Sequence, residues 1–355
     1  DMLIAFVNAW EEISPTIITG WNIDFFDVTY LYNRLKRVLG TKQANRLSPI
    51  GKVHWNKYRK RYIIAGVSAL DYIALYKNFT YTQLPNYRLD SVAQKELGRG
   101  KIEYEGNLDQ LFRDDIEKFC EYNLVDVELV VDMDKKLQFI DLARAICHVG
   151  HVFYEDFLFS SKWLEGSILT FLRRNGRVAP NKPQRQQRNE DGTEGEQKFI
   201  GAYVKQPKPG LYKWVYDLDL TSLYPSIIMS INISPETKIG KVKGYTAEKH
   251  LKNEMDSYSI IDNEGGESQP IAKEGFTDFI EKNKLSIASN GVLYTQDKIG
   301  IIPEILNVWF DKRVEYKDLM KKFGKAGDDE KYKFFSQRQL VQKIMLNSLY
   351  GVLGL

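Results

Sequence analysis

A strongly polar segment divides this chain, because residues 180–198 (PNKPQRQQRNEDGTEGEQK) contain no large apolar side chain. Such a stretch cannot join a hydrophobic core, and we interpret it as a linker or an exposed loop. The chain has 355 residues, of which 43% are hydrophobic, so two or three domains with real cores are possible. The sequence therefore predicts separate folding units on the two sides of this segment.

Composition excludes several classes of protein. No apolar run approaches the roughly 20 residues of a membrane span, so we expect no membrane contact. The first residues, DMLIAFVNAWEE, lack the basic start of a signal peptide. Two cysteines, Cys120 and Cys147, do not suggest a disulfide scaffold and suit a reducing compartment. These features predict a cytoplasmic protein.

The first 145 residues alternate strand and helix patterns, which is typical of an α/β fold. Apolar spacing predicts helices and short apolar runs predict strands. The segment HWNKYRKR is basic and aromatic and fits either a hairpin or a loop. In chain order we predict a helix over 2–13, a strand over 16–21, a helix over 27–39, a hairpin or loop over 54–61, a strand starting at 61, and one long helix over 114–146 with Asp114 or Asp115 as its cap.

Two carboxylate patterns mark the first half. Asp27 follows the strand pattern in TGWNIDFFD, and Tyr122 and Asp126 lie at i and i+4 of a predicted helix. A tyrosine can orient a water molecule while an aspartate binds the metal that activates it. The structural alternatives are that Asp27 caps a helix and that Tyr122 and Asp126 form an incidental surface pair.

The most specific pattern in the second half is DLTSLYPSII at 219–228. We predict a buried strand over 211–220 that ends at Asp219 and turns at once into a helix. The free N–H groups of Ser222 and Leu223 would then face the same side as the carboxylate, which suits a divalent cation carrying phosphate. The alternative is that Asp219 is a helix cap and Tyr224 a core residue.

Two helices, over 303–323 and 329–350, close the chain as a predicted helical hairpin. The second helix places Lys343, Asn347 and Tyr350 on one face, with Gly351 beside them. The first helix carries Arg313 and Lys317 at i and i+4. Residues 311–343 contain ten Lys or Arg and six Asp or Glu, a net charge of +4 against +3 for the whole chain. This concentration of positive charge suits a triphosphate, although a solvated charged face would explain it too.

Together these segments resemble the family B DNA polymerases, most closely those of T-even-like bacteriophages. DLTSLYPSII is similar to polymerase motif A and KIMLNSLYG (343–351) to motif B. GWNIDFFD resembles the second exonuclease motif and YNLVD the third. GAYV (201–204) is similar to the segment that joins the two activities and holds the primer-template.

The resemblance implies a role for each matching residue. Asp219 would be one of two aspartates that hold the catalytic Mg²⁺ ions, with the Leu220 carbonyl as a further ligand and Mn²⁺ also possible. Asp27 and Asp126 would bind the metals of a 3′–5′ exonuclease, with Tyr122 orienting its water. The nucleotide site would contain Leu220, Ser222, Leu223, Tyr224, Arg313, Lys317, Lys343, Asn347 and Tyr350. Within it, Tyr224 would exclude a ribose 2′-OH, the three cationic side chains would hold the triphosphate, and Asn347 and Tyr350 would line the base-pair pocket. The DNA contacts would include Gly201, Ala202, Tyr203 and Gly351.

The resemblance also implies a multidomain fold that mixes α/β and α+β parts. It comprises an RNase H-like exonuclease portion, a partial polymerase palm and antiparallel helical-hairpin fingers. The implied boundaries are 1–140 for the exonuclease, 141–197 for a connecting segment with the linker 180–198, 198–303 for the palm, 304–350 for the fingers, and 351–355 for a return to the palm.

Two family motifs have no match in this chain. No Y-x-D-T-D follows motif B, and no D-x-E precedes the second exonuclease motif. We therefore expect a central fragment or one piece of a split replicative polymerase, with little activity alone. The expected partners are primer-template DNA, dNTPs, a sliding clamp and replisome for the full enzyme, and possibly a complementary polymerase chain. Two alternatives stay open: a non-catalytic module that binds DNA or nucleotides, and a metal-dependent glycosyltransferase using Asp217 and Asp219.

Overall fold

The computed structural model describes residues 1–80, 82–179, 181 and 204–353, without the side chain of Leu353. The chain forms two compact units, Asp1–Trp163 and Leu164–Leu355. The predicted linker 180–198 lies outside the described residues, apart from Asn181. No helix among the described residues is both long and apolar enough to cross a membrane.

The first unit alternates helices and short strands, as the sequence predicts. The last helix in the following list begins in the first unit and continues into the second. The elements are α1 (Met2–Ile13), β1 (Ile17–Gly20), α2 (Asp27–Leu39), α3 (Thr41–Ala44), β2 (Val53–Asn56), β3 (Arg61–Ile64), β4 (Ser68–Asp71), α4 (Tyr72–Phe79), α5 (Leu89–Leu97), α6 (Leu108–Asp114), α7 (Ile116–Leu137), α8 (Phe139–Gly150) and α9 (Ser160–Arg174).

The predicted helices over 2–13 and 27–39 are confirmed, but the single long helix over 114–146 is wrong. Three helices, α6, α7 and α8, cover that region. Asp115 caps α7, because its side chain accepts the backbone N–H of Lys118 at 2.9 Å. Gln138 ends α7 in the left-handed conformation (φ 54°), which no regular helix can continue.

Strands β1 and β4 pair in parallel, so their carboxyl ends lie together, with Gly20 opposite Asp71. The chain turns sharply after Gly20, and a Cβ there would lie 2.4 Å from Cγ2 of Ile23. Strands β2 and β3 form an antiparallel hairpin, which decides between the two alternatives for 54–61. The parallel pair thus brings the loop before α2 and the start of α4 to one edge.

Two apolar clusters hold the first unit together. One cluster packs β4 and α4 against α7 and α8, with Leu70, Tyr72 and Met133 fully buried. The other packs α1 and α2 around Val7 and Leu35. Burying such side chains removes apolar surface from water, which is the main stabilising contribution here. The apolar core of this unit therefore includes residues at the carboxyl end of β4.

The second unit is a small antiparallel sheet flanked by helices. Its sheet has four strands, in the order Ile260–Asp262, Lys238–Val242, Val292–Thr295 and Leu285–Ile287. The elements are α10 (Leu223–Ile231), β5 (Lys238–Val242), α11 (Ala247–Leu251), β6 (Ser257–Tyr258), β7 (Ile260–Asp262), β8 (Ile271–Ala272), α12 (Lys273–Lys282), β9 (Leu285–Ile287), β10 (Val292–Thr295), α13 (Ile301–Lys325) and α14 (Asp329–Leu353).

The closing helical hairpin is confirmed, with α13 and α14 joined by residues 326–328. Pro303 lies in the first turn of α13, where its missing N–H has no intrahelical partner to lose. Leu306 and Trp309 of α13 are buried, as are Met345 and Leu349 of α14. The apolar sides of these helices are therefore packed, and their charged sides face solvent.

The predicted strand over 211–220 is wrong, although the helix after it is confirmed as α10. Every residue of 211–220 is exposed, including Trp214 at 92% and Leu218 at 91%. A strand is stabilised by hydrogen bonds to a neighbour, and among the described residues no strand pairs with this segment. The segment that was predicted as a buried strand is therefore unpaired in the structure, with large apolar side chains in water.

Candidate active sites

The helix start after Asp219 contacts both helices of the closing hairpin. Ser222 is the N-cap of α10 and adopts the left-handed conformation (φ 51°). Its Oγ accepts a hydrogen bond from Nη1 of Arg313 on α13 at 3.3 Å. Two residues later, the ring of Tyr224 stacks on Tyr350 of α14, with centroids 3.9 Å apart and planes 11° apart. The structure therefore brings residues of the two predicted polymerase motifs into direct contact.

The structural alternatives for DLTSLYPSII were that Asp219 caps a helix and that Tyr224 is a core residue, and neither holds. Ser222, not Asp219, is the cap of α10. Tyr224 is 39% exposed and Tyr350 45% exposed, so neither ring is a core residue. Asp219 and Leu220 precede the helix in the exposed segment, and Leu223 is its first residue.

The hairpin also carries exposed cationic and polar side chains. Lys343 and Asn347 are exposed on the same face of α14 as Tyr350, while Met345 and Leu346 on the opposite face are buried. Lys317 is exposed on α13. Ion pairs on the hairpin use other residues, such as Lys321 with Asp318. Within the described part of the chain, no acidic group neutralises Lys317 or Lys343, which leaves both available to an anion.

Gly351 has no packing reason to be glycine. A Cβ there would meet nothing within 4 Å, although glycine inside a helix is less stable than alanine by about 1 kcal/mol. The open space beside Gly351 would allow a second molecule to approach the backbone closely. The remaining predicted DNA contacts, Gly201, Ala202 and Tyr203, lie outside the described residues.

Asn232 fixes this arrangement, and the sequence patterns did not single it out. It ends α10 in the left-handed conformation and is 3% exposed. Its Nδ2 donates to the carbonyls of Thr295 and Lys298 at 2.6 and 2.8 Å, and its Oδ1 accepts the N–H of Gly300 at 2.9 Å. Gly300 is the N-cap of α13. One buried amide therefore ties the end of α10 to the start of the cationic hairpin.

In the first unit, Lys101 joins the two residues predicted on α7. Its Nζ donates to Oδ2 of Asp126 at 2.6 Å and to the Tyr122 hydroxyl at 3.0 Å. Burial would lower the pKa of Lys101, but these hydrogen bonds raise it overall, so the ammonium stays charged. Tyr122 and Asp126 are therefore not an incidental surface pair. Lys101 belongs to no motif, and no sequence signal marked it.

Asp126 keeps one oxygen without a protein partner. Its Oδ1 is buried and accepts no hydrogen bond. An unsatisfied buried carboxylate oxygen is unfavourable unless another group binds it. This orphaned atom fits a site that accepts a cation, and Lys101 already shows that a positive charge is stable beside this carboxylate.

Asp27 is the first residue of α2 and not its cap, which is Phe26. Its side chain is exposed, yet enough protein surrounds it for desolvation to raise its pKa. The loop before it is held by Asp71, whose carboxylate accepts the N–H groups of Asn22 at 2.9 Å and Asp24 at 3.3 Å. Asp27 thus follows a loop that is fixed at the edge of the parallel strands.

The described residues do not form a complete metal site. They contain no group of three or more His, Cys, Asp or Glu side chains that could hold an ion. Asp27 and Asp126 lie on different helices with different neighbours, and Asp219 lies in the exposed segment before α10. Each predicted centre therefore offers part of a donor set.

Comparison with known proteins gives the family. The model of DNA polymerase family B matches residues 159–355, and the model of its exonuclease domain matches residues 1–92. The chain is 33% identical to the DNA-directed DNA polymerase of Enterobacteria phage T4, over 100% of this chain and 42% of that protein. It is also 33% identical to the corresponding enzyme of Escherichia phage RB69, over 90% of this chain and 33% of that protein.

A more distant relative is the DNA polymerase of Pyrococcus glycovorans, 26% identical over all of this chain and 40% of that protein. The chain thus spans less than half of the length of each of these relatives. The relation to polymerases replaces the glycosyltransferase interpretation of Asp217 and Asp219. This chain belongs to the family B DNA polymerases and includes residues of their exonuclease domain.

Proposed function

We propose that this chain supplies part of a replicative, DNA-templated DNA polymerase with 3′–5′ proofreading. The observation that carries the proposal is the contact of the α10 start with both hairpin helices. Ser222 binds Arg313, and Tyr224 stacks on Tyr350. A triphosphate and a sugar could then be bound by residues that already lie beside one another.

In this proposal the chain's own residues bind and select the nucleotide. Arg313, Lys317 and Lys343 would hold the triphosphate and stabilise the charge that develops on it. The exposed ring of Tyr224 would contact the sugar and exclude a 2′-OH. Asn347 and Tyr350 would line the base-pair pocket, and Gly351 would allow close approach of the template strand.

Asp219 and the Leu220 carbonyl would be ligands for Mg²⁺ or Mn²⁺. Bound ions of this kind lower the pKa of an attacking hydroxyl and neutralise a leaving phosphate. One carboxylate is too few for two ions, since each is normally shared between carboxylates and phosphates. We therefore propose that further ligands come from a complementary polymerase segment, and that the exposed segment 211–220 pairs with it. A sliding clamp and replisome partners remain predictions of the family resemblance.

The first unit would supply part of the exonuclease. Asp27 and Asp126 would bind its metals, and Tyr122 would orient the attacking water. Lys101 would hold Tyr122 and Asp126 in place, because its ammonium contacts both side chains. Its positive charge would also stabilise the anionic transition state of phosphodiester hydrolysis.

The test is primer extension with the chain mixed with the segment that carries Y-x-D-T-D. The chain alone should extend a primer poorly or not at all, and the mixture should extend it. Asp219→Asn should reduce extension by at least about 100-fold. Asp217→Asn is the matched control, because it removes a carboxylate two residues away in the same exposed segment, and it should retain activity. Equal activity of the two variants would remove Asp219 from the mechanism.

The incomplete donor sets support a second candidate, a module that binds DNA or nucleotides without catalysis. Its affinity for DNA should fall steeply with salt, since cationic side chains release counterions from the phosphates they bind. Binding that persists in the mixture without any extension would favour this candidate. Extension in the mixture would exclude it.

A further inference from the structure

Helix α13 begins without a capping side chain of its own. Its N-cap is Gly300, which has no side chain to accept the free N–H groups of the first turn. Two residues from a distant segment accept them instead. Oε1 of Glu236 accepts the N–H of Ile301 at 2.5 Å, and Oγ of Ser234 accepts the N–H of Ile302 at 3.4 Å. The start of the cationic hairpin is therefore held by the segment that follows α10.

The accepting groups are themselves fixed in place. The Ser234 hydroxyl donates to Oε2 of Glu236 at 2.8 Å, so these two side chains hold each other. Glu236 lies in a short 3₁₀ turn, Pro235–Thr237. The Ser234 N–H donates to Oγ1 of Thr237 at 3.1 Å, and this hydroxyl donates to the Asn232 carbonyl at 2.6 Å. Residues 232–237 thus form a fixed socket for the start of α13.

The socket fits the helix closely at Gly300. A Cβ on Gly300 would lie 2.5 Å from Cβ of Ser234 and 3.1 Å from Cγ2 of Thr237. The φ of Gly300 is −72°, which any residue can adopt, so glycine is required here for space and not for backbone conformation. A serine or aspartate, the usual N-caps, would push α13 away from the socket. The helix therefore depends on the socket for its cap.

Glu236 supplies a charge as well as an acceptor. Desolvation would raise the pKa of its carboxyl group, but the hydrogen bond from the Ile301 N–H helps to lower the pKa overall. The carboxylate is therefore ionised at neutral pH, and it lies at the positive end of the α13 dipole. Hydrogen bonds to charged acceptors are stronger than those between neutral groups. We therefore expect Glu236 to contribute most to holding the helix start.

A small change at the socket would have a large effect at Arg313. Arg313 lies 12 residues beyond Ile301, or about 18 Å along the helix axis. A tilt of about 10° at the helix start would move Arg313 by about 3 Å. This displacement is comparable to the 3.3 Å distance between its Nη1 and Oγ of Ser222. Apolar packing along α13 is non-directional, so directed hydrogen bonds are needed to fix the tilt.

We propose that Glu236 is a positioning residue for nucleotide binding, because its carboxylate sets the direction of α13 and thereby holds Arg313 against the start of α10. Glu236 acts through Arg313 and does not contact the nucleotide. This inference rests on the proposed polymerase function, in which Arg313 holds the triphosphate. The contact of Arg313 with Ser222 can be tested in the chain alone, so the two proposals can fail separately.

The first experiment is hydrogen–deuterium exchange of the full chain without any ligand. Glu236→Ala removes the acceptor and the charge, and it should speed exchange in peptides covering residues 222–226 by at least about threefold. Glu236→Gln keeps an acceptor for the Ile301 N–H and should restore most of the protection. Peptides from the β5–β10 sheet should exchange at the rate of the unchanged chain, which excludes general loosening. Equal exchange at 222–226 in Glu236→Ala and the unchanged chain would overturn the proposal.

Two further variants make this result decisive. Glu248→Ala breaks an exposed ion pair with Lys252 in the same unit and should leave exchange at 222–226 unchanged. Gly300→Ala keeps Glu236 but crowds Ser234, so it should speed exchange at 222–226 as Glu236→Ala does. If Glu236→Ala fails to fold, Gly300→Ala decides the outcome in its place.

The second experiment is primer extension in the complemented mixture. Glu236→Ala should raise the KM for dNTP at least about fivefold, because the Arg313 contact with the phosphates is weakened, and should leave the KM for primer-template unchanged. A purely structural loss would lower the amount of active enzyme and leave both KM values unchanged, and that result would overturn the proposal. If the unchanged chain does not extend a primer in the mixture, the proposed polymerase function fails, while the exchange measurement still decides whether Glu236 positions Arg313.

Discussion

Replacing Tyr350 with leucine should weaken selection against ribonucleotides, although Tyr350 is proposed to contact the base pair and not the sugar. The reason is the stack with Tyr224, whose centroids are 3.9 Å apart and whose planes are 11° apart. Stacked aromatic pairs contribute about 0.5–1.5 kcal/mol beyond the area they bury. Because both rings are partly exposed, we expect the lower end of this range, about 0.5–0.8 kcal/mol. That energy corresponds to a two- to fourfold change in the equilibrium constant between the stacked and unstacked positions of the Tyr224 ring.

A double-mutant cycle measures this stacking energy directly. Tyr224→Leu, Tyr350→Leu and the double variant are unfolded in urea, and the coupling energy should be about 0.5–0.8 kcal/mol. The matched control is Tyr258 with Phe276, whose rings are also 3.9 Å apart but buried. The control pair should show a larger coupling energy, because its rings are fully removed from water.

The functional assay compares incorporation of dATP and ATP in the complemented mixture. Tyr350→Leu should lower the preference for dATP about two- to fourfold, as the stacking energy predicts. Tyr224→Leu should lower it much more, because it removes the excluding ring itself. The reasoning is refuted if the control pair shows coupling while Tyr224 and Tyr350 show none, or if Tyr350→Leu leaves sugar selection unchanged.

Three further predictions follow from buried groups. Burial raises the pKa of the Cys147 thiol to about 12, so in the native chain at pH 8 Ellman's reagent should modify Cys120, which is exposed, and spare Cys147 until the chain is unfolded. Lys101→Met should destabilise the first unit at pH 7 by about 1–3 kcal/mol in urea unfolding, because it leaves the partly buried carboxylate of Asp126 without its cationic partner; an unchanged free energy of unfolding would contradict this. Asn232→Ala should lower the free energy of unfolding by about 2–4 kcal/mol, because three buried hydrogen bonds are lost. The control Asn263→Ala loses one exposed hydrogen bond and should change the free energy of unfolding by less than about 1 kcal/mol.

Local patterns predicted the helices well, because apolar spacing and caps act within one or two turns. The bounds of α2 and the α13–α14 hairpin follow from such signals. The long helix over 114–146 was wrong because a single residue, Gln138, adopts the left-handed conformation, and glutamine gives no sign of this in a sequence. The strand over 211–220 was wrong for a different reason, since strand pairing depends on a neighbouring strand, which the residues of one segment do not reveal.

The proposed sites show the same limit. Motif spacing identified Asp27, Tyr122, Asp126, Tyr224 and Tyr350, and the structure places the two tyrosines of the polymerase motifs against each other. Motif spacing did not identify Lys101, which comes from a loop 21 residues before Tyr122. Contacts of this kind depend on how distant segments pack, so no local pattern announces them.

The residues that carry the proposed chemistry and those that position them differ in burial, and this difference should separate their mutant phenotypes. Asp27 and Asp219 are exposed, so replacing them removes no packing and should change activity with little effect on stability. Asp71 and Asn232 are buried and satisfied by several backbone groups, so replacing them should affect both properties.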